Sequence, residues 1–320
     1  MTFDASALAL DAVAEEARIT GALREQVLAT LKRRGVVVGL SGGIDSTVVA
    51  ALAVRAFGPD KVMCLFMNEN ESEDETARLS RLVADWLGVP TVDEPMTPLL
   101  TAAGCYARRD EAIRTVIPRY EAGWKCKIVL PSVVDSDRYR TFSVVVRSPE
   151  GEELKARLTP AAYLQIVAAT SFKQRTRKML EYYHADRLNY AVAGTPNRLE
   201  YDQGFFVKNG DGAADVKPIA HLYKTQVYAM AAHLGAPEEI RSRPPTTDTY
   251  SLPQSQEEFY FSLPYDKMDL ALYARDHGIS AADAGTALGL TIEQVERVFK
   301  DIDAKRAQAR YLHSAPLLIG

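Results

Sequence analysis

Apolar positions in the first 34 residues fall at Leu8, Val13, Ile19, Leu23, Val27 and Leu31, a roughly helical recurrence that predicts a leading helix closed by Gly35. The pattern then changes. Val36 to Leu40 is a β-branched run suited to a buried parallel strand, followed by a glycine-rich turn and a small-residue helix over about 46–57. Residues 61–67 predict a second strand, 74–87 a helix and 90–95 a third, short strand. Strand alternating with helix predicts an α/β fold, a Rossmann-like parallel sheet flanked by helices. The rhythm breaks in the middle. Residues 128–130, 142–146 and 154–158 are strand-like, and the last two runs flank the turn signal Ser148-Pro149-Glu150-Gly151. Residues 124–158 are therefore expected to be a small inserted β element in a single domain over 1–320. Helical signal returns at 159–184, a strand at 188–193 leads into a polar loop reaching about Asp215, and from Lys224 the C-terminal part is mostly helical.

Composition narrows the function class. With 320 residues, 47% hydrophobic and 25% charged, the chain can bury a large core. Its longest aliphatic runs, such as Val36-Val37-Val38, are far short of the roughly 20 residues of a membrane span. The N-terminal order, Met1-Thr2-Phe3-Asp4 and then Glu15-Glu16, is wrong for a signal peptide, so a cytoplasmic protein is expected. Cys64, Cys105 and Cys126 lie too far apart to suggest zinc or a disulfide framework. A net charge of −4 argues against a standing nucleic-acid partner and favours a small-molecule substrate.

The sharpest feature is Gly39-Leu40-Ser41-Gly42-Gly43-Ile44-Asp45-Ser46, between the first strand and its helix. Glycines there let backbone N–H groups approach a polyanion, and the helix N-terminus adds partial positive charge, so the loop suits a phosphate or pyrophosphate. It lacks the Gly-Lys-Ser/Thr ending of a Walker loop and the Gly-x-Gly-x-x-Gly dinucleotide pattern.

Ser-Gly-Gly-x-Asp-Ser is similar to the pyrophosphate loop of the N-type ATP pyrophosphatases. Farther on, Gly194-Thr195-Pro196-Asn197-Arg198-Leu199-Glu200, then Gly204 to Asp215, Tyr223-Lys224-Thr225-Gln226 and Pro244-Pro245-Thr246-Thr247-Asp248 follow in order. That ordered series resembles the ammonia-dependent NAD synthetases over roughly 36–90 and 170–310. The resemblance implies ATP-dependent amidation of deamido-NAD through an acyl-adenylate, with AMP and pyrophosphate released. A paralogue acting on another carboxylic acid is the alternative, and a nucleotide-binding protein without turnover a third reading.

The same resemblance places ATP on Gly39, Ser41, Gly42, Gly43, Asp45, Ser46, Thr195, Lys224 and Thr246, and Mg²⁺ on Asp45 and Glu200. Acidic groups beside phosphates make electrostatic sense if a metal bridges them. In the run Lys173-Gln174-Arg175-Thr176-Arg177-Lys178, Arg175 or Arg177 is expected to meet phosphate, unless the run is only a solvated face. Lys208, Asp211 and Asp215 lie in the loop that in this family borders the acid and ammonia. Asp211 is the expected proton acceptor, because ammonium has no lone pair for attack. Lys224 is the other expected catalytic group, and Phe205 and Phe206 either stack on a substrate ring or fill the core. The stretches before Val36 and after Asp248 leave no room for a glutamine amidotransferase domain, so free ammonia is the expected nitrogen source. A homodimer is expected, with 124–158 and 249–261 shaping the acid pocket.

Overall fold

The computed structural model describes residues 3–319 except 73, 131–133, 135–140, 245–248, 255–259 and 262. Among the described residues there are seven strands, β1 (Val36–Leu40), β2 (Val62–Phe66), β3 (Thr91–Asp93), β4 (Lys125–Val129), β5 (Ser143–Arg147), β6 (Glu153–Arg157) and β7 (Ala191–Val192). The helices are α1 (Ala12–Arg24), α2 (Ile44–Phe57), α3 (Asp74–Leu87), α4 (Thr97–Ala102), α5 (Cys105–Arg114) and α6 (Pro160–Leu188), then α7 (Arg198–Gln203), α8 (Lys224–Leu234), α9 (Glu238–Ser242), α10 (Tyr265–Asp276), α11 (Ala281–Leu288) and α12 (Ile292–His313).

One sheet is parallel, in the order β3-β2-β1-β7. Alternation along β1 divides its side chains between two cores. Val36, Val38 and Leu40 pack with α1, α2 and α8, while Val37 joins Leu65, Met96 and Leu100 under α4 to α6. From β1 the chain steps outward to β2 and β3, then returns to place β7 on the other side of β1. That reversal opens a crevice beyond the C-terminal ends of β1 and β7, where open α/β sheets bind ligands.

The second sheet is antiparallel, β4-β5-β6, within the segment expected to be a β insertion. Cys126, Ile128, Val144 and Val146 bury one face against Ile113, Ile117, Tyr120 and Ile166, which seats the sheet on α5 and the start of α6. Its outer edge is covered by residues far away in sequence. Leu252 N donates to Cys126 O at 3.1 Å, Cys126 N to Ser251 Oγ at 2.8 Å, and Gln254 Nε2 to Ile128 O at 2.5 Å. This pairing occupies the unpaired backbone groups of an edge strand.

The leading segment differs from a single helix. A 3₁₀ turn (Ala5–Leu8) precedes α1, and a π-helical stretch (Glu25–Thr30) follows it. Gly35 is not its left-handed terminator either, since Lys32 holds the positive φ, of 56°. A Cβ on Gly35 would lie 2.2 Å from Lys61 O, so close approach of the start of β2 is what demands glycine there. The strand expected over 188–193 is short because α6 runs on to Leu188, ended by Asn189 in the left-handed conformation.

Candidate active site

The turn after β1 is held by its own hydroxyls. Ser46 Oγ donates to Gly43 O at 3.0 Å and accepts from Ser41 N at 3.3 Å, and Thr47 Oγ1 donates to Gly43 O at 2.9 Å. Gly42 has φ +65°, and a Cβ on it would stand 2.8 Å from Leu79 Cβ and 2.9 Å from Thr76 O. Both conformation and space therefore exclude a side chain. Among the described residues no side chain caps α2, and a helix N-terminus of this kind suits an anion.

Asp45, in the first turn of α2, receives Nζ of Lys224 on one carboxylate oxygen and Asn197 Nδ2 at 3.0 Å on the other. Lys224 begins α8 and is 2% exposed. Its position is set from a distance, since the fully buried Asp269 on α10 accepts from Lys224 N at 3.1 Å and Thr225 N at 2.7 Å. Burial pushes the Asp269 carboxyl up to about 6 against those backbone donors. Desolvation pulls Lys224 down, but the carboxylates of Asp45 and Glu200 outweigh it and carry the ammonium to about 12.

Glu200 enters through a capping box at the start of α7. Glu200 N donates to Asn197 Oδ1 and Asn197 N donates to Glu200 Oε2, both at 3.2 Å. Asn197 thus ties Glu200 and Asp45 together. Desolvation first, and the Asp45 carboxylate second, raise Glu200 to about 8. Two carboxylates facing one lysine are poorly neutralised, and that favours a further cation. Among the described residues no cluster of three or more His, Cys, Asp or Glu could hold a metal alone. The pair fits Mg²⁺, which binds through one or two carboxylates plus phosphate oxygens and water.

These groups line a cleft of about 450 Å³. Gly39, Ser41, Gly42, Gly43, Asp45, Ser46, Thr195, Glu200, Phe206, Asp211 and Lys224 are all brought to it. Asp211 folds back to accept from Val207 N at 2.8 Å, and burial raises its carboxyl above the usual range. Phe206 is wedged against Gly212, where a Cβ would lie 2.2 Å from its ring. Phe205 stacks on Tyr260 with centroids 4.7 Å apart.

Three expected residues are not brought to the cleft wall. Arg175 is exposed on α6, and its Nε donates to Lys208 O at 3.3 Å. Lys208 turns away to the C-terminal segment, donating to Tyr311 O at 2.8 Å and Ser314 Oγ at 2.9 Å. Asp215 accepts from Val192 N at 2.7 Å and Tyr182 Oη at 3.2 Å, which anchors β7. Thr246 lies outside the described residues, as do Asp135, Asp137, Arg138 and Arg140 of the insert.

The sequence reading overlooked one pair in the cleft. Lys178 and Glu181, both buried, join at 2.5 Å, and Glu181 Oε1 sits where a Cβ on Gly39 would be 2.9 Å away. Helical spacing held the signal. Residues 170, 174, 177, 178 and 181 share the cleft side of α6, so Arg177 faces the cleft while Arg175 points out.

The NAD synthase family model matches residues 16–116 and 145–310. The chain is 61% identical to the NH(3)-dependent NAD(+) synthetase of Rhizobium meliloti (strain 1021), over 100% of this chain and 95% of that one. It is 62% identical to the protein of the same name from Mesorhizobium japonicum, over 97% of this chain and 98% of that one. Among solved structures, the NMN synthetase of Francisella tularensis shares the fold, with a TM-score of 0.67 at 18% identity over 97% of this chain and 99% of that one. The glycine-rich turn after β1, two carboxylates and a buried lysine stand in the segments that the family model matches, and the chain belongs to the NAD synthase family.

Proposed function

We propose that this protein is an ammonia-dependent NAD synthetase that amidates deamido-NAD. The observation carrying this reading is the convergence of Asp45, Glu200 and Lys224 beside the Ser41–Ser46 turn, in a cleft that also holds Asp211. In the first step a carboxylate oxygen of the acid bonds to the α-phosphorus of ATP, and the bond to pyrophosphate breaks. The turn and the α2 N-terminus hold the departing pyrophosphate, and Lys224 adds a fixed positive charge. Asp45 and Glu200 would hold Mg²⁺, whose chemistry there is neutralisation of phosphate charge. In the second step ammonia nitrogen bonds to the acyl carbon, AMP leaves, and a proton passes to Asp211. A carboxylate whose affinity for protons is raised by burial suits that role. Lys208, Arg175 and Asp215 then act on the surrounding scaffold rather than on substrate.

The test is pyrophosphate release from ATP, Mg²⁺ and ammonium against a panel of acids. Turnover with deamido-NAD and loss of it on chelation supports the reading; turnover with a different acid replaces it by the paralogue reading. Glutamine as an efficient sole nitrogen source for the purified chain would contradict the use of free ammonia.

A homodimer belongs to the same reading. Leu164, Met179 and Tyr183 stand 64%, 55% and 60% exposed on α6, apolar side chains that self-association would cover. Sedimentation of the wild type and of Met179→Asp checks it. A cytoplasmic location is inferred as well, supported by buried, unpaired Cys64, Cys105 and Cys126. Among the described residues no helix is long and apolar enough to cross a membrane.

A further inference from the structure

Two helices, α2 and α8, share one core and begin at the same cleft, since Asp45 and Lys224 both line it. A helix N-terminus carries partial positive charge and unpaired N–H groups, so it attracts anions and is an unfavourable place for a cation. Yet the first residue of α8 is Lys224, a buried ammonium. The N–H groups at that terminus are taken by the protein itself. Tyr223 N donates to Gln226 Oε1 at 3.0 Å, Lys224 N to Asp269 Oδ1 at 3.1 Å and Thr225 N to Asp269 Oδ2 at 2.7 Å. Asp269 lies in α10 between Met268 and Leu270 of the C-terminal core, fully buried, and each of its oxygens accepts from α8. The start of α2 is the converse: it has no side-chain cap among the described residues, and its first turn carries an acid, Asp45, rather than a cation.

We propose that Asp269 is a positioning residue for the reaction, its buried carboxylate standing in for a bound anion at the N-terminus of α8. The inference rests on the functional reading above. Without a negative partner at that terminus, the helix dipole and burial would both favour a neutral amine, or a side chain turned out to solvent. With Asp269 in place the dipole is met by a carboxylate, Lys224 keeps its charge, and its Nζ is aimed at Asp45 beside the phosphate turn. Of the two helix starts at the cleft, α8 is then closed by an internal anion and α2 is left to the phosphates of ATP. Asp269 thereby links the core of α10 to α12 with the charge proposed to stabilise the departing pyrophosphate, although it touches no substrate itself.

A double-mutant cycle with Lys224 tests this on the full chain, by pyrophosphate release with deamido-NAD, Mg·ATP and ammonium. Asp269→Asn keeps the shape and one accepting oxygen and removes the charge. In the wild-type background it should lower kcat/KM for ATP roughly 10-fold or more, with the KM for ammonium within about 2-fold of wild type. In a Lys224→Gln background the same change should cost less than about 2-fold, because a residue acting through Lys224 has nothing left to position. Calorimetric Mg·ATP affinities of the same proteins give the cycle without turnover. Equal losses in the two backgrounds overturn the assignment and leave Asp269 a part of the scaffold alone, and so does wild-type activity in Asp269→Asn. If Asp269→Asn and the smaller Asp269→Ser both fail to fold, the carboxylate is a fold element and the proposal falls. Failure of the wild type to amidate deamido-NAD strikes the functional reading instead, and the Mg·ATP cycle still tests Asp269.

Discussion

Two buried charge clusters stand at the cleft, and one glutamate in each, Glu200 and Glu71, is shifted in the opposite direction to the other although burial raises both. At the phosphate turn, Asp45 and Glu200 share Lys224, and Glu200 rises to about 8. Elsewhere on the cleft wall, Lys173 meets Glu69 at 2.9 Å and Glu71 at 2.6 Å, while Arg109 reaches Glu71 at 2.6 Å. Burial would raise Glu71 as well, yet Lys173 and Arg109 overcome it and hold the carboxyl below its usual range. Two cations there meet three carboxylates, since Arg109 also reaches Asp110 at 2.8 Å, and Tyr106 Oη donates to Glu69 at 2.6 Å, which closes the network. At the turn, the raised proton affinity of Glu200 marks a carboxylate less well compensated than Glu71, and a cationic ligand would favour its ionised form. Degree of neutralisation, more than burial, separates the cluster proposed to act on substrate from the one that ties the loop after β2 to α5, α6 and the Thr249 carbonyl.

Breaking the cluster at the phosphate turn should give the largest effect. Asp45→Asn is expected to lower turnover roughly 100-fold or more while changing Tm little. The asparagine oxygen still accepts from Lys224, and Glu200, freed from its charged neighbour, ionises to balance the lysine. A large fall in Tm would place Asp45 among the structural groups and erase the distinction.

Breaking the closed network should act on stability first. Lys173→Met leaves Glu69 and Glu71 buried with less compensation and should cost about 3–5 kcal/mol, read from denaturant unfolding. A loss below about 1 kcal/mol would mean that water or Arg109 replaces the lysine. The network should also weaken in acid. Glu71 is depressed in the folded state, so its contribution is complete above its ordinary value of 4.5 and is lost as pH falls through the lower folded value.

Glu200 has the opposite sign. Its folded carboxyl binds a proton up to about pH 8, against 4.5 when unperturbed, so the free protein loses stability as pH rises through that window. A bound cation needs the ionised form, so Mg·ATP binding should release a proton below pH 8 and tighten by up to about 10-fold per pH unit. Calorimetry in buffers of different ionisation enthalpy measures the released proton, and Glu200→Gln should abolish it. No proton release in the wild type would show that Glu200 is already ionised. The smallest effect is expected outside both clusters: Arg81 meets Asp93 at 2.9 Å, but both are more than half exposed, and Arg81→Ala should change stability by less than about 0.5 kcal/mol.

What could be read from sequence was local. The phosphate turn, the Asn197–Glu200 capping box and the α/β alternation are each fixed by residues within a few positions of one another. Lys224 was identified by resemblance, but its holder Asp269 lies 45 residues away and nothing nearby signals the pairing. Asp215, Lys208 and Asp211 sit in one motif-rich loop, and sequence alone does not show that Asp215 bonds to Val192 N, Lys208 to Tyr311 O and Asp211 to Val207 N. The run 173–178 mixes three environments because α6 turns each side chain 100° from the last, sending Lys173 into the closed network, Lys178 to the cleft and Arg175 to solvent.

The pairing of Leu252 with Cys126 along β4 also bears on the order of assembly. Closing a loop of that length carries a high entropic cost before any contact rewards it, whereas the β1–turn–α2 unit closes within about twenty residues. Pairing and docking of the parallel strands are therefore expected to precede the seating of 249–254 on the small sheet. During synthesis the phosphate turn emerges early, but the wall that carries Tyr250 waits until the C-terminal half has left the ribosome. On the proposed function, a nascent chain would hold the turn proposed to grip a nucleotide's phosphates well before the wall proposed to border the acid.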